Sequence, residues 1–231
     1  MNHSAAARLT TVITGANRGI GLELARQCHA RGDRVLALCR QAGSELPALD
    51  VEIIEGIDVT AVDALQRAAA TVGSGGVDLL IANAGLLSVE SFAALGESAA
   101  QEQIRAQFAV NALAPLLTVH AFSGTLQPGA KVALITSRMG SMADNGSGGY
   151  YGYRMSKAAL NAAGRSLAID LAPRGISVAL LHPGYVRTEM TGGQGNVEAA
   201  ESARMLLERI DELQPSRSGQ FWHASGEVLP W

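Results

Sequence analysis

Lysine is nearly missing from this chain. Among its 231 residues and 18 basic side chains, only Lys131 and Lys157 are lysine, and arginine carries the rest of the positive charge. No basic block occurs and the formal net charge is −3, which argues against nucleic acid or an anionic membrane as partner. Cysteine is equally scarce. Cys28 and Cys39 have no CxxC spacing and no histidine cluster beside them, so reduced core thiols and a cytoplasmic setting are expected. The histidines are scattered and show no metal-ligand spacing, so no metal is expected. No G-x-S-x-G surrounds any serine, which excludes the nucleophile elbow of a hydrolase. The first apolar run is interrupted by Gly15, Asn17 and Arg18, so it is neither a signal peptide nor a membrane span. Residues 1–8 are expected to be a flexible, solvated leader and 9–231 a single domain. Gly73–Gly76, Gly146–Gly149 and Gly192–Gly195 are expected to be loops, since nothing resembles a linker or repeat.

What is present is an alternation of short apolar strands and helical stretches. Strands are expected at 9–14, 35–39, 51–57, 77–81, 131–136, 176–181 and 221–222. Helices are expected at 22–29, 63–71, 97–125, 153–171 and 197–213. Apolar runs of this kind suit parallel strands buried on both faces, and the alternation predicts an α/β protein built on a doubly wound parallel sheet with helices on both faces. In the helix after Tyr153, Ala159, Leu160, Ala163, Leu167 and Leu171 form the expected inner face, pressed on the sheet or on another subunit.

The first strand runs into Gly15-Ala16-Asn17-Arg18-Gly19-Ile20-Gly21. Glycines there permit a tight turn and a close backbone approach, and the following helix presents unpaired amides and its positive end to an anion. Such turns also occur without ligands. The turn lacks a Gly-Lys-Ser/Thr ending, so it is not an ATP-type phosphate loop. Cys39-Arg40 closes the second strand where a doubly wound sheet meets the adenosine ribose. An acid there suits NAD, whereas arginine fits a 2′-phosphate. Arg40, with Arg18 aimed at the same region, therefore favours NADP(H) over NAD(H). Asn83-Ala84-Gly85 follows the fourth strand: either an ordinary turn or small residues that let a flat group approach. Asn111 lies amid apolar residues in the long helix. A buried amide must find partners, so it either satisfies backbone near a Pro115 kink or holds a water.

The chemistry centres on Tyr153 and Lys157. Four apart on a helix, they share one face. A phenol of pKa about 10 beside an ammonium is biased toward phenolate. At ~4 Å and an effective dielectric near ~20 the Coulomb energy is about 4 kcal/mol, close to ~3 pKa units at the upper end. Neither Tyr150 nor Tyr151 has a lysine four residues on. Ser137 ends the fifth strand, at the sheet edge where ligands bind; Ser141 is its rival. His182, before Pro183, reads as packing rather than as a base. Between Thr188 and Glu198 a short glycine-rich cover suggests an open pocket. Trp231 docks either on the body or on a partner subunit.

Thr14-Gly15-Ala16-Asn17-Arg18-Gly19-Ile20-Gly21, Asp58, Asn83-Ala84-Gly85, Asn111, Ser137, Tyr153 with Lys157, and Pro183-Gly184 with Thr188 occur in that order. As a set they resemble a classical short-chain dehydrogenase/reductase almost end to end. Ser137-Arg138-Met139-Gly140-Ser141, Tyr150-Tyr151-Gly152-Tyr153-Arg154, Leu181-His182-Pro183-Gly184 and the tail Gly226-Glu227-Val228-Leu229-Pro230-Trp231 are similar to the C-factor-like and sniffer-like carbonyl reductases. The resemblance implies a homodimer or homotetramer that moves a hydride between NADPH and a carbonyl. It implies Tyr153 as acid/base, Lys157 lowering its pKa and holding the nicotinamide ribose, Ser137 orienting the carbonyl, and Asn111 holding a water. It implies a cofactor cradle of Gly15, Asn17, Arg18, Gly19, Ile20, Gly21, Arg40, Asp58, Val59, Asn83, Ala84 and Gly85, with Pro183, Gly184, Val186 and Thr188 at the nicotinamide end. A silent nucleotide-binding signalling protein, or a reductase of quinones or pteridines, are the alternatives.

Overall fold

Strands with apolar side chains on both faces must be covered on both sides, and the period-two alternation divides them between two cores. In the computed structural model, which describes residues 8–73 and 76–231, Ile13, Ala37, Ile81, Ala133 and Leu181 point to one side. Val12, Leu36, Leu80, Leu134 and Val178 point to the other. The expected leader at 1–8 lies almost wholly outside the described residues, as do Ser74 and Gly75 of the expected 73–76 loop.

The elements run β1 (Thr10–Thr14), α1 (Gly19–Ala30), β2 (Arg34–Leu38), β3 (Glu52–Ile54), α2 (Val62–Ala70), β4 (Val77–Ala82), α3 (Ser98–Phe108), α4 (Ala114–Phe122), β5 (Leu126–Ile135), α5 (Tyr151–Leu171), β6 (Ser177–His182), β7 (Val186–Arg187), β8 (Val197–Glu198), α6 (Ala199–Asp211) and β9 (Phe221–His223). Seven strands form one sheet in the order β3-β2-β1-β4-β5-β6-β9, every neighbouring pair parallel. The order reverses direction at β1 and β4, which opens a crevice at the carboxyl edge. Helices α1 and α6 cover one face; α2, α4 and α5 cover the other.

The structure corrects three expectations. The long helix expected at 97–125 is two helices joined by a π turn at Ala109–Leu113. The wider turn, and the place of Pro115 in the first turn of α4, remove any need for a proline kink. Second, β5 begins at Leu126 rather than 131, because residues beyond a register shift near Val77 still pair. Third, the inner face of α5 is Ser156, Leu160, Gly164, Ala168 and Leu171. Ala159 and Ala163 instead line an outer groove with Ile104, Phe108 and Leu116.

Both lysines bond backbone carbonyls. Lys131 Nζ donates to Ile210 and Asp211 at 2.7 and 2.8 Å, closing the carboxyl end of α6. Gly164 is where α5 meets the sheet: a Cβ there would lie 2.6 Å from Leu180 Cδ2 and 2.8 Å from Leu134 Cδ1. Gly164→Val should therefore destabilise the protein by about 1–3 kcal/mol through overpacking, read as a lower denaturant midpoint at unchanged m-value.

Candidate active site

The glycine turn is held by β4. Asn83 Nδ2 donates to the carbonyls of Thr14 and Gly15, each at 3.1 Å. Thr14 Oγ1 accepts the amides of Asn83 and Ala84 at 3.1 and 3.2 Å. A Cβ on Gly15 would lie 2.9 Å from Ala84 Cα, and one on Gly21 would lie 2.1 Å from the Gly15 carbonyl oxygen. The small residues after β4 thus make room for the glycine turn itself. Helix α1 opens at Gly19 with no side chain capping it from Arg18, so its first amides remain available to an anion, and a dinucleotide diphosphate fits this cradle. Ile20 packs on the core beneath, and Val59 packs on the opposite core.

At the end of β2, Arg40 is exposed and lies near Asp58. Hydrogen bonds from the Thr60 amide and hydroxyl hold the Asp58 carboxyl below its usual range, and Arg40 adds to this. Arg18 is an exposed side chain with a partner of its own. Its guanidinium pairs with Glu189, just beyond Thr188, whose methyl group would lie 3.3 Å from a Cβ on Gly19. The residues expected at the nicotinamide end are held by packing and hydrogen bonds. Gly184 has φ +93°, the Pro183 carbonyl accepts Ser202 Oγ at 2.8 Å, and Val186 is buried. The 188–198 cover is tied down: Thr191 Oγ1 accepts the Thr188 amide at 3.1 Å and donates to the Gln194 carbonyl at 2.6 Å, and β7 pairs with β8.

Ser137, Tyr153 and Lys157 come together between β5 and α5. Ser137 is 6% exposed and its hydroxyl accepts the Met139 amide at 3.2 Å. Ser141 is occupied elsewhere, bonding the Trp231 carbonyl at 3.2 Å and the Asp144 amide at 3.1 Å. That carbonyl also takes the Met142 and Ala143 amides, and the Trp231 ring stacks on Phe221, so Trp231 docks on the body of its own chain.

Lys157, 4% exposed, donates to the Ile135 carbonyl at 2.8 Å, and its Nζ lies 5.8 Å from the centre of the Tyr153 ring. Burial lowers its pKa to about 8. Tyr153 departs from expectation: burial raises its pKa, and hydrogen bonding with Ser137 only partly opposes the rise. The ammonium is directed at Ile135 and is itself starved of solvent, so desolvation of the phenol wins over attraction. His182 is neutral. Burial, then His223, Arg138 and Lys157, push it down to about 3, and its ring meets His223 edge-on at 5.0 Å.

Asn111 lies in the π turn. Its Oδ1 accepts the Leu86 amide and its Nδ2 donates to the Leu86 carbonyl, both at 2.7 Å, and to Ser156 Oγ at 3.0 Å. The side chain thus ties the loop after β4 to α5, and no water is needed to satisfy it. Sequence reasoning missed Glu90, Gln107, Ser156 and the Thr136–Asn161 pair, bonded at 2.7 Å. Their only signal was polar residues within apolar surroundings, the signal that marked Asn111.

A family model described as short chain dehydrogenase matches residues 9–199. This chain belongs to that family of oxidoreductases. It is 39% identical to the 1-hydroxy-2-glutathionyl-2-methyl-3-butene dehydrogenase of Rhodococcus sp. (strain AD45), over 96% of this chain and 99% of that one. It is 47% identical to C-signal of Myxococcus xanthus, over 72% of this chain and 100% of the relative. Two solved structures each superpose at TM-score 0.89 over 97% of this chain and 100% of their own. One is an NADPH-bound carbonyl reductase from chicken fatty liver, 31% identical, and the other the carbonyl reductase Sniffer of D. melanogaster, 30% identical. Among the described residues no helix is long and apolar enough to cross a membrane.

The buried lysine leaves a signature in stability. Its folded pKa, about 8, lies below its ordinary 10.5. Between those values the unfolded chain binds the proton that the native chain has released, so this group makes stability rise with pH across that window. Lys157→Met should lose that rise, measured as denaturant midpoints of both proteins at several pH values.

Proposed function

We propose that this protein reduces aldehydes or ketones to alcohols with NADPH, or runs the reverse oxidation. The observation that supports this reading best is the meeting of Ser137, Tyr153 and Lys157 at the carboxyl edge of β5, beside a glycine cradle suited to a diphosphate. The names of the similar proteins agree on the bond: carbonyl reductases form a C–OH group and the dehydrogenase is named for a hydroxy compound.

NADPH would supply the hydride to the carbonyl carbon. The Ser137 hydroxyl donates a hydrogen bond to the carbonyl oxygen and fixes its position, a preorganised donor for developing negative charge. The Tyr153 phenol gives that oxygen a proton. Its raised pKa keeps the phenol loaded before the reaction, as a reductase requires. Lys157 then stands beside the phenolate, and Asn111 fixes α5 through Ser156. In this reading Asn83, Ala84 and Gly85 shape the cradle, while Gly15, Asn17, Arg18, Gly19, Ile20 and Gly21 face the diphosphate. Asp58 and Val59 flank the adenine. Pro183, Gly184, Val186 and Thr188 face the nicotinamide. Arg40 selects the 2′-phosphate, with Arg18 joining it on release from Glu189. Lys157 also holds the nicotinamide ribose.

A homodimer or homotetramer belongs to this reading, as does a cytoplasmic setting, which suits two buried free thiols with Cys28 pushed up to about 12 by burial. The similarity to C-signal favours a second reading, a nucleotide-binding signalling protein. The complete Ser137, Tyr153 and Lys157 set favours the enzyme, because binding alone has no use for the phenol.

Tyr153→Phe should keep NADPH affinity and lose at least about a hundredfold in kcat, within the usual range for general acid catalysis. NADPH consumption over a panel of aldehydes, ketones, diketones and quinones checks this, and retained turnover would remove Tyr153 as proton donor. Arg40→Asp should weaken NADPH about tenfold or more while sparing NADH, a charge contact worth about 1.4 kcal/mol or above. Equal losses for both cofactors in a binding titration would separate Arg40 from the 2′-phosphate.

A further inference from the structure

Helix α5 begins without a cap of its own. Tyr150 precedes it in the left-handed region at φ 52°, and no side chain at that position accepts from the first turn. Helix amides left this way must find acceptors. The acceptor comes from the loop after β4: the Gly152 amide donates to Glu90 Oε2 at 3.1 Å.

Glu90 is 2% exposed. Its Oε1 accepts Gln107 Nε2 at 2.6 Å and Ser88 Oγ at 2.8 Å. Gln107, fully buried, accepts the Ser88 amide at 3.1 Å through its own Oε1. Three donors and the positive end of a 21-residue helix replace the water that a carboxylate loses on burial. The fit leaves no slack. A Cβ on Gly152 would lie 2.4 Å from Gln107 Nε2 and 3.0 Å from Ile104 Cα. One turn beyond Gln107, Asn111 Nδ2 reaches Ser156 Oγ at 3.0 Å. Tyr153 therefore lies between two fastened points of α5, Gly152 and Ser156.

We propose that Glu90 is a positioning residue for Tyr153: its carboxylate, set by Ser88 and Gln107, fixes the first turn of α5 and so the place of the phenol against Ser137. This rests on Tyr153 being the proton donor. Glu90 touches neither cofactor nor substrate in this scheme. A glutamine in its place turns an N–H toward Gln107 Nε2 or the Gly152 amide. Exchanging the two side chains restores the pattern. The amide oxygen introduced at position 90 can accept from Gly152, while the amide nitrogen donates to the carboxylate introduced at position 107.

The test compares wild type, Glu90→Gln, and the double variant Glu90→Gln/Gln107→Glu. Amide hydrogen exchange over 150–156 is read in the cofactor-free protein, and kcat, KM and NADPH affinity in the loaded one. Glu90→Gln should exchange faster at 150–156 but not in the glycine turn, and should lose about ten- to a hundredfold in kcat with affinity unchanged. The double variant should recover most of both. Unchanged exchange in Glu90→Gln overturns the proposal, as does faster exchange with unchanged kcat. Should Glu90→Gln not fold, Ser88→Ala removes one donor only, and wild-type exchange at 150–156 in that variant overturns it equally. Turnover surviving in Tyr153→Phe would instead remove the proton donor, while the exchange comparison still decides whether Glu90 holds the turn.

Discussion

The structure depends on how closely α5 approaches its neighbours. Three glycines mark the contacts. On Gly140 a Cβ would lie 2.7 Å from the Lys157 backbone, on Gly152 it would meet Gln107, and on Gly164 it would meet Leu134 and Leu180. Each is a place where one side chain would push the helix off its neighbour, the loop after β5, α3 or the sheet. With α5 seated, Lys157 reaches the Ile135 carbonyl, and Tyr153 comes to the end of the strand that carries Ser137. The chemistry is a consequence of packing.

The fold buries ionisable groups in several places, and the way each is compensated differs. Asp33 has Thr11 at 2.6 Å and Arg31 at 2.8 Å, a closed set remote from the sheet edge. Glu90 has three neutral donors and a helix end. Lys157 has one carbonyl and a ring, and burial lowers its pKa to about 8. Incomplete compensation of a buried ionisable group beside a cleft marks a candidate site. His182, half-buried, is pushed down to about 3, so its ring stays neutral and packs edge-on against His223.

Much of this was legible in the sequence. Short apolar runs alternating with helical stretches give the doubly wound parallel sheet, because parallel strands with helical crossovers leave few topologies. The Tyr153–Lys157 spacing and the position of Ser137 at a strand end mark the candidate site, and the fold brings the three side chains together. Three things were not legible. The π turn at Ala109–Leu113 leaves no compositional trace, since alanine and leucine suit either helix. The sign of the Tyr153 shift depends on where the Lys157 ammonium points, and spacing fixes a face but not a direction. The Arg18–Glu189 pair joins residues far apart in the chain, and only the folded cover brings them together.

The central claim is that burial, opposed only in part by Ser137, keeps the Tyr153 phenol protonated until it reacts. Ultraviolet difference titration of the cofactor-free protein against Tyr153→Phe reads that phenol alone. Its pKa should lie above the ordinary 10.0, and binding of oxidised cofactor, which adds positive charge nearby, should bring it down. A phenol that titrates below the ordinary value before any cofactor binds would show instead that Lys157 sets the site and that desolvation does not.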